Sequence, residues 1–499
     1  MQLDGPGKLR GQLQFHAGGF YAQINGLTEY TDEDYWFIRP GMLMYGRSSQ
    51  IDVQAKYKFD LWNGRESIII GTDYKITNPK SKGTLYGRFE DDDQYSMYGG
   101  YIQSATEITE NLKLTVSGRI DYNDATGNST FSPRLALVSE ITPEHVLRIS
   151  YNRGTARPTA TSYYKDFPIG GGPGFLVYSF GSANGFTFSE PRLTSSFIGP
   201  GRDAGVGMAN SRAYASLAES VANFMDSDNP TALKDYLENK IGDISGFSEG
   251  ILTFRDSNGL LERVVPDVQD IDPIREPIFQ TYELGYKGVI ADKFVIGIDA
   301  HYNRIQDFLF AHIITPFVEI PSGILSQNIA ASIQNLFSNE ELLPFGIDVD
   351  ELASVYANFA SSLEDRPIGL IEPMQSYRPE SPPEVLKSER NAGAIDYYGV
   401  DLSLEAHFSD HWSAYANFSW FSENFFDDKA LGLESTGLDL SMNMPRNKVK
   451  AGIIYRTNTG LSIQTALRHV GKFKVTEMSY HSGFVEAYTL VDFSLTYDF

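Results

Sequence analysis

From Ile51 the chain alternates apolar and polar residues. Ile51, Val53, Ala55, Tyr57, Phe59 and Leu61 are interleaved with Asp52, Gln54, Lys56, Lys58 and Asp60. Successive side chains of a strand point to opposite faces, so this period of two predicts a strand with one oily and one wet face. Asn63-Gly64, a strong hairpin signal, then turns the chain into a returning strand over 66–75. The unit recurs along the sequence, with 95–106 turning into 112–122, 131–141 into 146–153 and 281–289 into 294–302. Further on, 398–408 turns into 412–420 and 448–455 into 461–467. The last run sets Val491, Phe493, Leu495, Tyr497 and Phe499 against Asp492, Ser494, Thr496 and Asp498. Residues 9–25, aromatic and glycine-rich, predict one more strand, giving about fourteen. Pro40 makes 35–45 an edge strand or an ordered loop.

The turns inside these hairpins are short, whereas the links between them run long, over 76–93, 155–280, 310–396, 424–444 and 472–486. Strict alternation of short and long connections predicts an antiparallel membrane barrel with tight turns on one side and long loops on the other. A soluble sandwich has no reason to put its length at one end. Two long loops carry helical signals. Ser211 can cap a helix bearing Tyr214, Leu217, Val221 and Phe224, and Asn229-Pro230 opens a second that ends at Gly242. In the other loop Asp350 precedes Leu352, Val355, Tyr356 and Phe359 at helical spacing. The expected fold class is therefore all-β, an antiparallel transmembrane β-barrel whose loops 155–280 and 310–396 fold into a partly helical extracellular cap.

Composition narrows the function classes. Read as a soluble protein, 499 residues would suggest roughly two to four domains, whereas a barrel with long loops uses them in one body. A formal net charge of -23 without any Lys/Arg cluster argues against a nucleic-acid partner. No run of 18 apolar residues occurs, which excludes a membrane-spanning helix and leaves a membrane barrel open. With no cysteine there is neither a disulfide nor a thiolate-metal framework. The first residues, Met1 to Gly7, lack the basic and apolar regions of a secretory signal, so the expectation is a removed signal or the later part of a longer protein.

Several stretches resemble TonB-dependent outer-membrane receptors. They are Gly87-Arg88-Phe89-Glu90-Asp91-Asp92-Asp93, Gly99-Gly100-Tyr101-Ile102-Gln103, Phe131-Ser132-Pro133-Arg134-Leu135-Ala136-Leu137 and Arg148-Ile149-Ser150-Tyr151-Asn152-Arg153. Thr281-Tyr282-Glu283-Leu284-Gly285-Tyr286-Lys287-Gly288, Tyr398-Gly399-Val400-Asp401-Leu402 and the aromatic-terminated final strand extend the match. The resemblance implies a 22-stranded barrel in outer-membrane lipid, plugged by an N-terminal domain. Such a barrel imports a scarce small-molecule ligand (a siderophore-iron complex, cobalamin or a glycan) with energy passed through the TonB complex. Before Leu9 neither a plug, a TonB-contacting box nor the first barrel strands can be found, so the resemblance makes this the C-terminal portion of a receptor. In Arg153-Gly154-Thr155-Ala156-Arg157-Pro158, Thr155 stands where relatives carry an aromatic residue.

Candidate chemistry is sparse. Arg119, Arg148, Arg153 and Arg157, with Arg134 and Arg468, are arginines expected among the lumen residues, where they hold a plug, steer an anionic ligand or simply pair with acids in a solvated wall. Tyr163, Tyr164, Phe167, Phe175 and Tyr178, beside the run Gly170 to Gly174, are candidate ligand contacts; loop self-packing explains them equally well. Glu90 to Asp93 reads as a solvated charge run, because the ligand spacing of a calcium loop is missing. Asp226, Asp228 and Asn229 start like such a loop, but helix follows and capping is preferred. His407 and His411 are separated by a turn, so the helical zinc pairing fails. No catalytic residue, metal site or cofactor is expected. A passive porin-like channel, a surface-binding adhesive barrel and a barrel enzyme with a carboxylate or His at its rim are the rivals.

Overall fold

The computed structural model describes residues 6–31, 35–37, 42–172, 175–188, 218–225, 229–241, 253–255, 261–263, 270–319, 322–362, 364, 367–370, 372–378, 381–382, 384–427, 429–431, 440–477 and 481–498. Ser211, Tyr214, Leu217, Asp226, Asp228, Gly242 and Phe499 lie outside them. Its main sheet has seventeen strands, two of which, Asp166–Gly172 and Phe175–Phe180, belong to a loop. The remaining fifteen form the wall. In chain order they are β1 (Pro6–Ala17), β2 (Phe20–Thr31), β3 (Arg47–Leu61), β4 (Glu66–Lys80), β5 (Tyr95–Thr109), β6 (Leu112–Asn123), β7 (Asn128–Thr142) and β8 (His145–Thr155). They continue with β9 (Ile278–Ile290), β10 (Phe294–Ile313), β11 (Glu384–His407), β12 (Trp412–Phe421), β13 (Asn447–Arg456), β14 (Leu461–Val470) and β15 (Tyr488–Tyr497). Each pairs antiparallel with its neighbours in sequence order.

The count exceeds the expected fourteen because the opening stretch holds two strands. Gly18, with φ +55°, turns the chain so tightly that Ala17 pairs directly with Phe20. Fifteen is odd, and among the described residues β1 pairs only with β2 and β15 only with β14. The sheet is open between them. Strict alternation of connection length also breaks once: β6 and β7 are joined by Asp124-Ala125-Thr126-Gly127, where Gly127 at φ +68° closes a tight turn at the long-loop end. The region over 35–45 supplies a separate small hairpin, Tyr35–Phe37 with Met42–Met44.

Register carries one oily stripe across the wall. Val491, Leu467, Ala451, Ala416, Leu404 and Ile296 are successive direct partners from β15 to β10. The same parity returns as Phe59 beside Ile68 and Tyr57 beside Phe20. Val491, Phe493 and Leu495 are exposed at 68%, 69% and 62%, and their oily side chains share the outward face expected to meet lipid. Trp412 and Trp420 stand at opposite ends of β12 on this outward face.

Two strands outgrow the wall. β10 has 20 residues and β11 has 24, against roughly 9–11 needed to cross a bilayer. Their ladder continues past Asp307 (φ +57°) and Gly393 (φ +60°) to Ile313 with Lys387, so the loop expected from 310 to 396 is shorter, beginning after Ile313 and ending before Glu384. The loop strand Phe175–Phe180 adds to this projection in parallel, pairing with Glu384 to Ser388. Above it sit α1 (Pro230–Ile241), α2 (Ile324–Leu336) and α3 (Val349–Ser361). Asn229 Oδ1 accepts from Ala232 N at 3.1 Å and caps α1, while Asp348 caps α3. One shared core holds Val221 and Leu233 from the first loop and Ile333, Leu352 and Tyr356 from the second, all fully buried.

Candidate functional site

The long-loop end is tied together at Arg88. Its Nε donates to Asp166 Oδ2 at 2.8 Å, and its Nη2 to Asp166 Oδ1 at 2.7 Å and Glu384 Oε2 at 2.8 Å. The guanidinium also lies 4.7 Å from the Phe180 ring centre and 5.2 Å from that of Tyr178. Asp166 and Glu384 are 3% and 1% exposed, so one planar cation on the 81–94 connection joins the 156–277 connection to the projecting start of β11 through a forked, water-excluded contact. Gly87 permits it, because a Cβ there would stand 2.4 Å from Asp166. Burial drives the Arg88 guanidinium down, but the bonds to both carboxylates reverse that and leave it raised. Burial pushes the Glu384 carboxyl up against the pull of Arg88.

Asp93 corrects the solvated reading of the acidic run. It is 1% exposed and neither carboxylate oxygen has a hydrogen-bond partner. Burial, aided by the neighbouring Glu90 charge, raises it to about 6. Glu90 is placed differently, accepting from the Ser81 hydroxyl at 2.5 Å and from the backbone N–H groups of Ser81, Lys82 and Gly83. These bonds hold it below the usual carboxylate range although burial opposes them.

Of the five aromatic candidates, Tyr163 and Tyr164 form loop core and present no open ligand surface. They pack with Tyr86, Tyr95, Met97 and Ile274. The Tyr163 hydroxyl accepts from Asn123 Nδ2 at 2.7 Å, and burial pushes both phenols above their ordinary range. Phe167, Phe175 and Tyr178 are half-buried on the loop hairpin, with Tyr178 stacked beside Arg88.

Three of the four arginine candidates sit on or above the wet face in ion pairs. Arg119 bridges Asp73 at 2.7 Å and Asp121, and Arg157 reaches Asp121 at 2.7 Å. Arg148 lies 3.1 Å from Asp299 and 3.7 Å from Glu283. Arg153 does not belong with them. It shares the parity of the outward Ile149 and Tyr151, pairs with Gln280, and donates to the Phe131 carbonyl.

The inward face carries a feature that sequence reading did not single out. Tyr101, Arg148, His301 and Tyr415 each lie flat over a directly paired glycine, respectively Gly71, Gly285, Gly399 and Gly452. A Cβ at Gly399 would meet the His301 ring at 2.1 Å. Glycine thus lets large side chains lie along the wall rather than project from it. His301 then gathers with Phe421 at 5.8 Å, and Tyr397 stands 6.2 Å from Phe421, giving an aromatic group on the inner face near the loops. The parity of Tyr397, Gly399 and Asp401 was the available signal.

The family model described as TonB dependent receptor-like, beta-barrel matches residues 5–194 and 279–499. The siderophore receptor PirA from Acinetobacter baumannii is similar in structure, with a TM-score of 0.50 at 11% identity, covering 99% of this chain and 56% of that one. A mutant of the ferric enterobactin receptor PfeA from Pseudomonas aeruginosa, in complex with enterobactin, gives 0.53 at 10% identity, covering 98% and 54%. This chain thus spans a little over half the length of those receptors. No curated protein matches it.

Proposed function

This chain belongs to the TonB-dependent receptor-like β-barrel family, and from that premise we propose that it forms much of the wall and the extracellular cap of a receptor that captures a small-molecule ligand and delivers it to the periplasm. One observation carries the reading: the two longest connections share a single hydrophobic core, and Arg88 on a third ties the first of them to the projecting start of β11, all at one end of an oil-faced wall. A built cap of this kind suits ligand capture better than a passive pore does.

The open sheet implies a particular closure. β1 and β15 are separated by thirteen alternating strands, so they run in the same direction, and pairing them directly would be parallel. A second copy in the same membrane orientation meets the same conflict. An antiparallel barrel therefore closes only through an odd number of further strands, supplied from outside the fifteen. Seven would give the 22 found in plugged outer-membrane transporters.

Ligand recognition, in this reading, rests on aromatic and neutral polar groups. Arg119, Arg148 and Arg157 are already paired with carboxylates, whereas His301, Tyr397 and Phe421 gather beneath the loops. PirA is a siderophore receptor and PfeA a ferric enterobactin receptor, and a ferric siderophore is the ligand proposed first here, before cobalamin or a glycan. Cells producing the receptor are offered each labelled ligand with and without a functional TonB complex. Accumulation of the iron complex that stops without TonB is the expected result. Uptake that continues unchanged without TonB would instead make the protein a passive channel.

A further inference from the structure

The outward face carries three consecutive cross-strand rows that change in polarity toward the long-loop end. The row deepest in the wall is aliphatic: Leu137, Ile149, Leu284, Ala300 and Val400 are direct partners across β7 to β11. Next comes an aromatic row in which Tyr151, Tyr282, Tyr302 and Tyr398 stand 4.8, 5.9 and 5.4 Å apart. One step further lie Arg153, Gln280, Arg304 and Asp396, again direct partners. Between the first two rows runs a groove of about 590 Å³. Its five strands, at roughly 4.8 Å spacing, make it about 19 Å long, running across the strands along the outer surface of the wall.

We propose that this patch is a binding site for a phosphate-bearing lipid of the outer leaflet, its acyl chain in the groove and its phosphate between Arg153 and Arg304. Two guanidiniums face a single carboxylate in the polar row, and that carboxylate, Asp396, already accepts from the Tyr302 hydroxyl at 2.6 Å. Arg304 stands 4.0 Å from Asp396, a loose pairing, and Arg153 spends one donor on the Phe131 carbonyl out of the five a guanidinium carries. Phosphate is the anion that such a fork recognises. The arrangement is not a general property of this wall. The other tyrosine row, Tyr74, Tyr98 and Tyr122, is followed on the same side by Ile76 and Ser96, which offer no cation. Ala300 is the small residue among larger neighbours in the aliphatic row, and so opens the groove.

The inference rests on the outer-membrane reading of the wall, and its test separates the two. Receptor is extracted in detergent from the outer-membrane fraction, its folded state is confirmed by heat-modifiable migration, and lipid A or the same lipid with its phosphates removed is titrated in under native mass spectrometry. The unaltered receptor is expected to hold one lipid A tightly. The double variant R153Q/R304Q and the groove-filling Ala300→Phe should each lower occupancy at least fivefold, whereas Tyr98→Leu in the other row leaves it unchanged. Equal occupancy in all folded variants, or equal binding of the dephosphorylated lipid, overturns the proposal. A receptor missing from the outer-membrane fraction overturns the reading beneath it.

Discussion

Asp93 and Arg88 show how single side chains set the behaviour of the loops. Asp93 has its pKa raised from 3.8 to about 6, so the folded loop holds its proton over a range in which the unfolded chain has released it. Stability from this group is complete below about pH 4, falls as pH rises toward 6 and is flat above. Protection of the amides around Tyr86, Tyr95 and Tyr164, taken relative to the intrinsic exchange rate at each pH, should accordingly fall between pH 4 and 6. Asp93→Asn should flatten that dependence, and an unchanged slope would show that another group is responsible. Arg88→Ala strands two buried carboxylates, so the loop cluster should lose about 3–5 kcal/mol. Protease sensitivity of the long loops should rise while heat-modifiable migration of the wall persists. Little of this was legible in advance: Gly87-Arg88-Phe89 was visible as a motif, but Asp166 and Glu384 lie 78 and 296 residues from Arg88, and no local pattern announces such a meeting.

At the level of elements, period-two alternation located the wall because each strand meets two solvents, and that contrast is written locally into the sequence. It misread the first hairpin, where glycine at 18 and 19 let two strands pass for one. It also stopped β10 and β11 short, since their projecting ends are covered by protein on both faces and lose the alternation: Ile305, Phe310, Val385 and Ile395 are all buried. The placement of Arg153 followed its motif, although the parity of Ile149 and Tyr151 already put it on the oily side. Two expectations belong to this scale. Gly399→Val forces the His301 ring off the wall and should lower wall stability by about 1–3 kcal/mol, read as a fall in the urea midpoint. Leu352→Ala, in the core shared by the helical loops, should remove about 2–5 kcal/mol from that unit alone, read as faster exchange in α1 to α3 with the wall unaffected.

For the whole molecule the central claim is orientation: an outer-membrane wall whose short turns face the periplasm and whose joined long loops face outward to take a ligand. The absence of native cysteine makes that claim directly measurable. Single cysteines are placed on the long-loop end as Lys82→Cys and Glu340→Cys, and on the short-turn end as Glu110→Cys and Asn458→Cys. Intact cells are then treated with a membrane-impermeant maleimide. Labelling of the first pair on intact cells, and of the second only after the outer membrane is permeabilised, is the predicted result. Labelling of the short-turn pair on intact cells, or equal labelling of both ends, would contradict the account.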